Sequence, residues 1–236
     1  MIQVNLMSSR RRFLKRSGIA IITGLAAHSF AVIAQGAKKT EKPEVEISPV
    51  EDLMREHGVL SRALLIYDEI ARRIDDNKEF PPDVLTRTAQ LIRRFVEDYH
   101  EKLEENYLFP RFEKAGKLVD LAKVLLEQHQ AGRRLTARIL GVPSKSMTSE
   151  EQRRLKVHLR TFCLMYRPHK SREDTVLFPA FHTIVSPKEF DSLGESFEDK
   201  EVKLFGEGGF EKIVDEVAGI EKKLGIFELS RFTPRI

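Results

Sequence analysis

Two short stretches of the chain repeat the same residue types at the same spacing. A histidine, a glutamate and a Leu-Phe-Pro sequence recur as His100, Glu104 and 108–110, and as His169, Glu173 and 177–179. In both copies the glutamate lies four residues after the histidine and the proline ten residues after it. Side chains four residues apart share one face of a helix, about 6 Å apart along its axis, so this imidazole and carboxylate can reach adjacent metal positions.

A lone histidine precedes each copy of this motif. His57 follows Glu56, and His129 follows Gln128. Each lone histidine lies upstream of its motif histidine by a similar distance, 43 residues in the first copy and 40 in the second. The chain therefore contains two copies of a predicted helix pair, each offering one histidine and then His-x-x-x-Glu.

Two such pairs facing each other would bring six ligands to one pair of metal ions. The candidate ligands are His57, His100, Glu104, His129, His169 and Glu173. The two carboxylates would bridge the metals and the imidazoles would complete the ends, a mixed nitrogen and oxygen set that suits iron, manganese or zinc. The alternative is a duplicated structural helix pair without metal. Its weakness is that imidazoles and carboxylates facing the bundle would each cost a few kcal/mol unless paired.

Capping and helix-breaking residues predict the elements that position these ligands. The predicted helices run from a Ser48 cap to about 74, from about 83 to near 116, from about 118 to 140, and from the 148/149 cap to about 184. A Ser186 cap and a glycine-rich turn at 206–209 predict two further helices. No strand pattern of convincing length occurs. We therefore predict an all-α fold, an antiparallel up-down-up-down four-helix bundle with extra C-terminal helices.

Composition limits the classes of protein to which the chain can belong. With 236 residues, 41% hydrophobic and 32% charged, it can bury a sizeable core. Its one cysteine, Cys163, excludes a disulfide framework and a thiolate zinc cluster. The net charge is +4, but residues 1–34 carry five basic and no acidic side chains, so residues 35–236 sum to about −1. The predicted bundle therefore has no overall charge excess for nucleic acid, and no nucleic-acid partner is expected.

Residues 1–34 have the layout of a secretory signal, with a basic stretch before an apolar run that ends in small residues. Residues 9–15, Ser-Arg-Arg-Arg-Phe-Leu-Lys, resemble the twin-arginine export signal at each consensus position. That resemblance implies the twin-arginine translocase as a partner and a periplasmic or otherwise extracytoplasmic location. Cleavage after Ala34 is favoured over the alternative after Ala31, and no stable membrane association is expected afterwards. Anchoring in the membrane by an uncleaved signal is the alternative.

The predicted organisation has four parts. They are a signal peptide at 1–34, a polar linker at 35–47, the four-helix bundle at 48–185 and a helical extension at 186–236.

The repeated motifs resemble the hemerythrin-like, HHE cation-binding family, whose signature is a histidine followed by His-x-x-x-Glu, used twice, with Leu-Phe-Pro after it. The resemblance covers about residues 48–185 and implies two non-haem iron ions with oxo and carboxylate bridges, binding O2 or a related small ligand. By position it assigns His57, His100 and Glu104 to the first helix pair. His129, His169 and Glu173 fall in the second.

The chain departs from the oxygen-carrier members of that family. Those members have a fifth histidine four residues after the third-helix histidine, and an aspartate on the fourth helix. Here the two positions hold Arg133 and Glu173. Each metal would then keep an open position, which favours sensing or detoxification of O2, NO or peroxide over O2 storage. A peroxidase-like, catalase-like or NO-reducing enzyme is an alternative, and so is an iron-storage or stress module without turnover.

The sequence allows more than one role for each of four residues near the candidate ligands. Glu101 is a candidate extra ligand, although it lies about 100° around the helix from His100. Tyr107 and Tyr166 flank the motifs, where packing is favoured over donation of a hydrogen bond. Gly132, three residues after His129, either leaves room for a ligand or allows a close helix approach.

Overall fold

The computed structural model describes residues 47–143 and 146–234, and in these two ranges the regular secondary structure is helical, with no strand. The prediction of an all-α fold is confirmed for this part of the chain. The predicted signal and nearly all of the predicted linker lie outside the described residues. No described helix is long and apolar enough to cross a membrane.

The described residues form six main helices. They are α1 (Pro49–Asp75), α2 (82–115), α3 (Val119–Leu140), α4 (149–181), α5 (Pro187–Phe205) and α6 (Gly209–Leu224), followed by a 3-10 turn at Leu229–Phe232. Within α2, the wider π-helical hydrogen-bond pattern occurs at Ile92–His100 and Glu104–Leu108, and within α4 at Glu173–Leu177.

Side-chain caps start three of the helices where the sequence predicts them. The Ser48 and Ser186 hydroxyls accept hydrogen bonds from the backbone N–H groups of Glu51 and Glu189, each at 3.2 Å. Thr148 forms a complete capping box with Glu151. These contacts satisfy N–H groups that have no partner in the first helical turn.

The fourth helix ends earlier than predicted, at Phe181 instead of about 184. The N–H groups of Thr183 and Ile184 donate to carbonyls three residues back, which tightens the chain into a turn. The Thr183 hydroxyl also donates to the Ala180 carbonyl at 2.7 Å, so it competes with a further helical turn.

Helices α1 to α4 pack side by side around the core. Helices α1 and α3 each contact both α2 and α4. Helix α6 packs on α1 and α2, and helix α5 packs on α1 and α6. Large aromatic side chains fill the space between them, among them Tyr67, Phe95, Phe112, Phe162, Phe178 and Phe181. The described chain is thus an arrangement of packed helices whose inner faces carry the predicted ligands.

The two Leu-Phe-Pro sequences have the same local effect on α2 and α4. The N–H of Phe109 donates to the carbonyl of Glu104, and the N–H of Phe178 donates to that of Glu173, both five residues back. The proline that follows each phenylalanine has no N–H, so the ordinary four-residue pattern cannot pass through it. Each motif glutamate therefore begins a widened π turn, a feature often found at functional sites.

Candidate metal centre

The structure brings all six predicted ligands together in the interior of the packed helices. His57 comes from α1, His100 and Glu104 from α2, His129 from α3, and His169 and Glu173 from α4. None of the six is more than 3% exposed. Their donor atoms form two groups, and within each group all donor atoms lie within 4.8 Å of one another. The first group is His57, His100 and Glu104, and the second is His129, His169 and Glu173.

The two glutamates lie between the two histidine pairs. Glu173 places Oε1 3.1 Å from His169 Nε2 and Oε2 3.3 Å from His57 Nε2, so one carboxylate reaches both groups. Glu104 Oε2 lies 3.4 Å from His129 Nε2 and 3.7 Å from His100 Nε2. Glu173 thus offers a different oxygen to each histidine pair, whereas Glu104 presents the same oxygen to both.

A polar side chain on a neighbouring helix holds each imidazole from behind. The Nδ1 contacts are His57 with Asp174 at 2.7 Å, His100 with Glu56 at 2.7 Å, His129 with Glu105 at 3.2 Å and His169 with Gln128 at 2.9 Å. An ionised carboxylate or an amide oxygen can only accept, so each Nδ1–H donates. In the neutral ring the lone pair is then on Nε2, which faces the centre.

These orienting residues are next to ligands in the sequence. Glu56 and Gln128 directly precede lone histidines, whereas Glu105 and Asp174 directly follow motif glutamates. The sequence identifies Glu56 and Gln128 only as neighbours of the lone histidines, and it gives Glu105 and Asp174 no role. An acidic residue after the glutamate in both copies was the available signal.

Several inward-facing atoms of the centre have no hydrogen-bond partner. Within the described residues, neither oxygen of Glu104 or of Glu173 has a hydrogen-bond partner, and His57 Nε2 has none either. Imidazole nitrogens therefore face the oxygens of buried carboxylates, an arrangement that costs free energy unless protons or a cation lie between them. The donor set fits a pair of transition-metal ions with nitrogen and oxygen ligands.

Burial controls the charges of the metal-free centre. Desolvation and the nearby negative charge of Glu173 raise the pKa of Glu104 well above its ordinary value. Burial alone would raise the pKa of Glu173 as well, but His169 and His57 outweigh it and hold that pKa below its usual range. Burial also lowers the pKa of His100 and of His129, which keeps both imidazoles neutral and able to bind metal.

Comparison with known proteins agrees with this geometry. The family model of the hemerythrin HHE cation-binding domain matches residues 48–186. This chain belongs to the hemerythrin HHE family.

Relatives of this hemerythrin-family chain occur in mycobacteria. An uncharacterized protein of Mycobacterium bovis and one of Mycobacterium tuberculosis are each 49% identical to it over 197 residues, which is 83% of this chain and 77% of the relative. No solved structure matches the chain.

Arg133, at the position of the fifth histidine in the oxygen-carrier hemerythrins, belongs to a partly buried ion-pair network instead. Its guanidinium lies 2.7 Å from Glu101 Oε2 and 2.7 Å from Glu105 Oε1. The Tyr166 hydroxyl donates to Glu101 Oε1 at 2.6 Å. Glu101 is therefore held by Tyr166 and Arg133, and Tyr166, for which packing was favoured, is a hydrogen-bond donor as well.

Gly132 provides the space for that tyrosine. A methyl group built on Gly132 would overlap the Tyr166 hydroxyl, and the ring carbon that bears the hydroxyl would lie only 2.7 Å from it. The space beside Gly132 is thus filled by Tyr166, which agrees with the close-approach interpretation of the sequence. Tyr107, by contrast, packs edge-on against Phe197.

The phenylalanines of the two repeated Leu-Phe-Pro sequences cover the lone histidines. Phe178 stacks on His57 and Phe109 stacks on His129, each with ring centroids 5.5 Å apart. The two rings are apolar walls of the hemerythrin-type centre, so the repeated sequence supplies both the wide turn at the glutamate and the cover over the opposite imidazole.

Proposed function

We propose that this protein is an exported hemerythrin-like binding protein with a non-haem di-iron centre that takes O2, NO or peroxide in a sensing or detoxification role. The observation that carries the proposal is the convergence of four imidazole Nε2 atoms on two buried carboxylates whose oxygens have no hydrogen-bond partner in the described chain. The four helices that carry these groups would run up, down, up and down, so that both repeats face the same interior.

The six ligands and their orienting partners would hold two iron ions bridged by Glu104 and Glu173 and by an oxo group. Such a pair supplies redox change and open coordination positions for a small ligand. The chain's own contribution is to fix the imidazoles through Nδ1, to keep water out with Phe109 and Phe178, and to hold Arg133 away from the metals by pairing it with Glu101.

We further propose that residues 1–34 direct the folded protein through the twin-arginine translocase. The basic stretch at 9–15 and the apolar run after it support this step. A metal pair assembled before transport could then travel inside the folded bundle to the periplasm or an equivalent space. Retention by an uncleaved signal at the membrane is the alternative outcome.

A redox enzyme acting on peroxide or NO is the second candidate function. It is favoured by the replacement of the fifth histidine by Arg133, which leaves open positions on both metals. An iron-storage or stress module without turnover is the third outcome that experiments must separate.

Metal analysis of the purified protein combined with its ultraviolet and visible spectrum tests the proposal. We expect two iron atoms per chain and oxo-bridge absorption, with a stable and reversible spectral change when O2 is added to the reduced protein. Rapid consumption of added peroxide or NO, abolished in His100→Ala, would identify the enzyme instead. Bound iron without either response would indicate storage, and protein free of transition metals would refute the centre altogether.

Acid is expected to release the metals cooperatively. Ligand imidazoles must be neutral, and protons compete for them below their reference pKa of about 6.5. Burial lowers the pKa of His100 and of His129, whereas at His57 the carboxylates of Asp174 and Glu173 outweigh burial and raise the pKa. Release should therefore begin through His57 and become complete as the pH falls further. Metal content measured after dialysis at stepped pH checks this, and full retention at about pH 4 would contradict histidine ligation.

A further inference from the structure

The two halves of the centre differ in the groups that hold their imidazoles. In the first half, His57 and His100 each donate at 2.7 Å to a carboxylate, Asp174 and Glu56 respectively. In the second half, His169 donates at 2.9 Å to the neutral amide oxygen of Gln128.

The remaining imidazole of the second half also has a weaker partner. His129 donates to Glu105 at the longer distance of 3.2 Å. The same carboxylate is contacted by Arg133 and by Lys102, so two cations share its negative charge. Both imidazoles of the second half are therefore supported by less negative charge than those of the first half.

This difference bears directly on metal affinity. A carboxylate that accepts the Nδ1–H of a ligand imidazole raises the basicity of the other nitrogen, and loss of such a partner typically costs 10- to 100-fold in metal affinity. A neutral amide oxygen orients the ring but adds no negative charge. The two glutamates do not account for this difference, because each lies slightly closer to a histidine of the second half, Glu173 at 3.1 against 3.3 Å and Glu104 at 3.4 against 3.7 Å.

We propose that the centre has one tight and one exchangeable metal position. The tight position, at His57 and His100, fills first, and the position at His129 and His169 fills second and loses its metal first. Gln128 is the positioning residue that sets the difference, since it stands where the first repeat has Glu56. The inference rests on the proposed metal centre but not on which small ligand that centre binds.

A titration of the metal-free protein with Co²⁺, followed by absorption and by calorimetry, tests the proposal. Repulsion between two bound cations would make the second Co²⁺ bind more weakly than the first even in a symmetrical centre. The test of the asymmetry is therefore how each affinity changes between variants. We expect Gln128→Glu to strengthen the weaker step by about 10-fold and Glu56→Gln to weaken the tighter step by about 10- to 100-fold. An unchanged weaker step in Gln128→Glu would overturn the assignment.

Variants that keep only one position remove the repulsion. His100→Ala and His169→Ala occupy equivalent places in the two repeats, so they form a matched pair. The one Co²⁺ bound by His169→Ala should be held at least about 10-fold more tightly than the one bound by His100→Ala. Circular dichroism of the metal-free variants verifies that both are folded.

Equal or reversed affinities in this pair would refute the asymmetry. If wild-type protein loaded with iron still gave the expected spectral response to O2 or NO, the proposed function would stand while this inference failed. Conversely, tighter Co²⁺ binding by His169→Ala than by His100→Ala, without any response of the iron-loaded protein to O2, NO or peroxide, would support the inference and refute the small-ligand function.

Discussion

Replacing Glu104 by glutamine is expected to weaken metal binding by at least about 100-fold while making the metal-free protein more stable. The carboxylate lies within 3.7 Å of an imidazole nitrogen from each half of the centre, so its charge would serve both metals. A glutamine of the same shape offers a neutral oxygen and an N–H₂ group, which cannot bridge two cations. Loss of a residue that only orients a metal ligand typically lowers metal affinity 10- to 100-fold, so loss of a ligand shared by both metals should lower it further.

The expected gain in stability concerns the metal-free protein, in which the Glu104 carboxyl has no metal to bind. In the metal-free protein Glu104 is fully buried, its oxygens have no hydrogen-bond partner in the described chain, and the negative charge of Glu173 is close. Because its pKa is raised, this carboxyl must either stay charged while buried or take up a proton when the chain folds, and replacing it should raise the free energy of unfolding by on the order of 1 kcal/mol. Sites built to bind a ligand often carry such a cost when empty.

Chemical denaturation of the metal-free protein and Co²⁺ titration measure the two effects separately. Glu113→Gln on the same helix is the matched control, because Glu113 is exposed and should change neither quantity. A Glu104→Gln variant with unchanged metal affinity would remove this glutamate from the ligand set. A loss of both affinity and stability would indicate a structural role instead.

Gly132→Ala is expected to destabilise the protein by about 1–3 kcal/mol, although alanine is the better helix former. The added methyl would overlap the hydroxyl and ring of Tyr166, which is buried and cannot move outward. For a chain of this size the melting temperature should fall by several degrees, roughly 2–4 °C per kcal/mol. Displacement of Tyr166 should also disturb its hydrogen bond to Glu101.

Gly58→Ala is the matched control for this effect. Gly58 lies in α1 next to His57, and a methyl group built on it meets nothing within 4 Å. Its replacement should therefore stabilise the protein by about 0.5–1 kcal/mol through helix propensity alone. Adding Tyr166→Phe to Gly132→Ala should recover part of the loss, because the hydroxyl is removed but the ring remains. Equal effects of the two glycine substitutions on thermal unfolding would contradict the assigned contact.

The helices and the candidate ligands could be predicted from the sequence because they depend on local rules. Caps and helix breakers set the start of α1 at Ser48, and the four-residue spacing of His100 and Glu104 sets both side chains on one helix face. Recurrence of that spacing at His169 and Glu173 distinguished ligands from ordinary surface pairs.

Tertiary structure alone decided how the ligands are held. The rotation and axial offset of packed helices place Glu105 behind His129 and Asp174 behind His57, pairs that are 24 and 117 residues apart in the chain. The same packing turns Gly132 toward Tyr166. Spacing along one helix reports which side chains share a face, but not which side chain of another helix each one meets. That choice depends on how the helices interlock, since every contact across the core is fixed together with its neighbours.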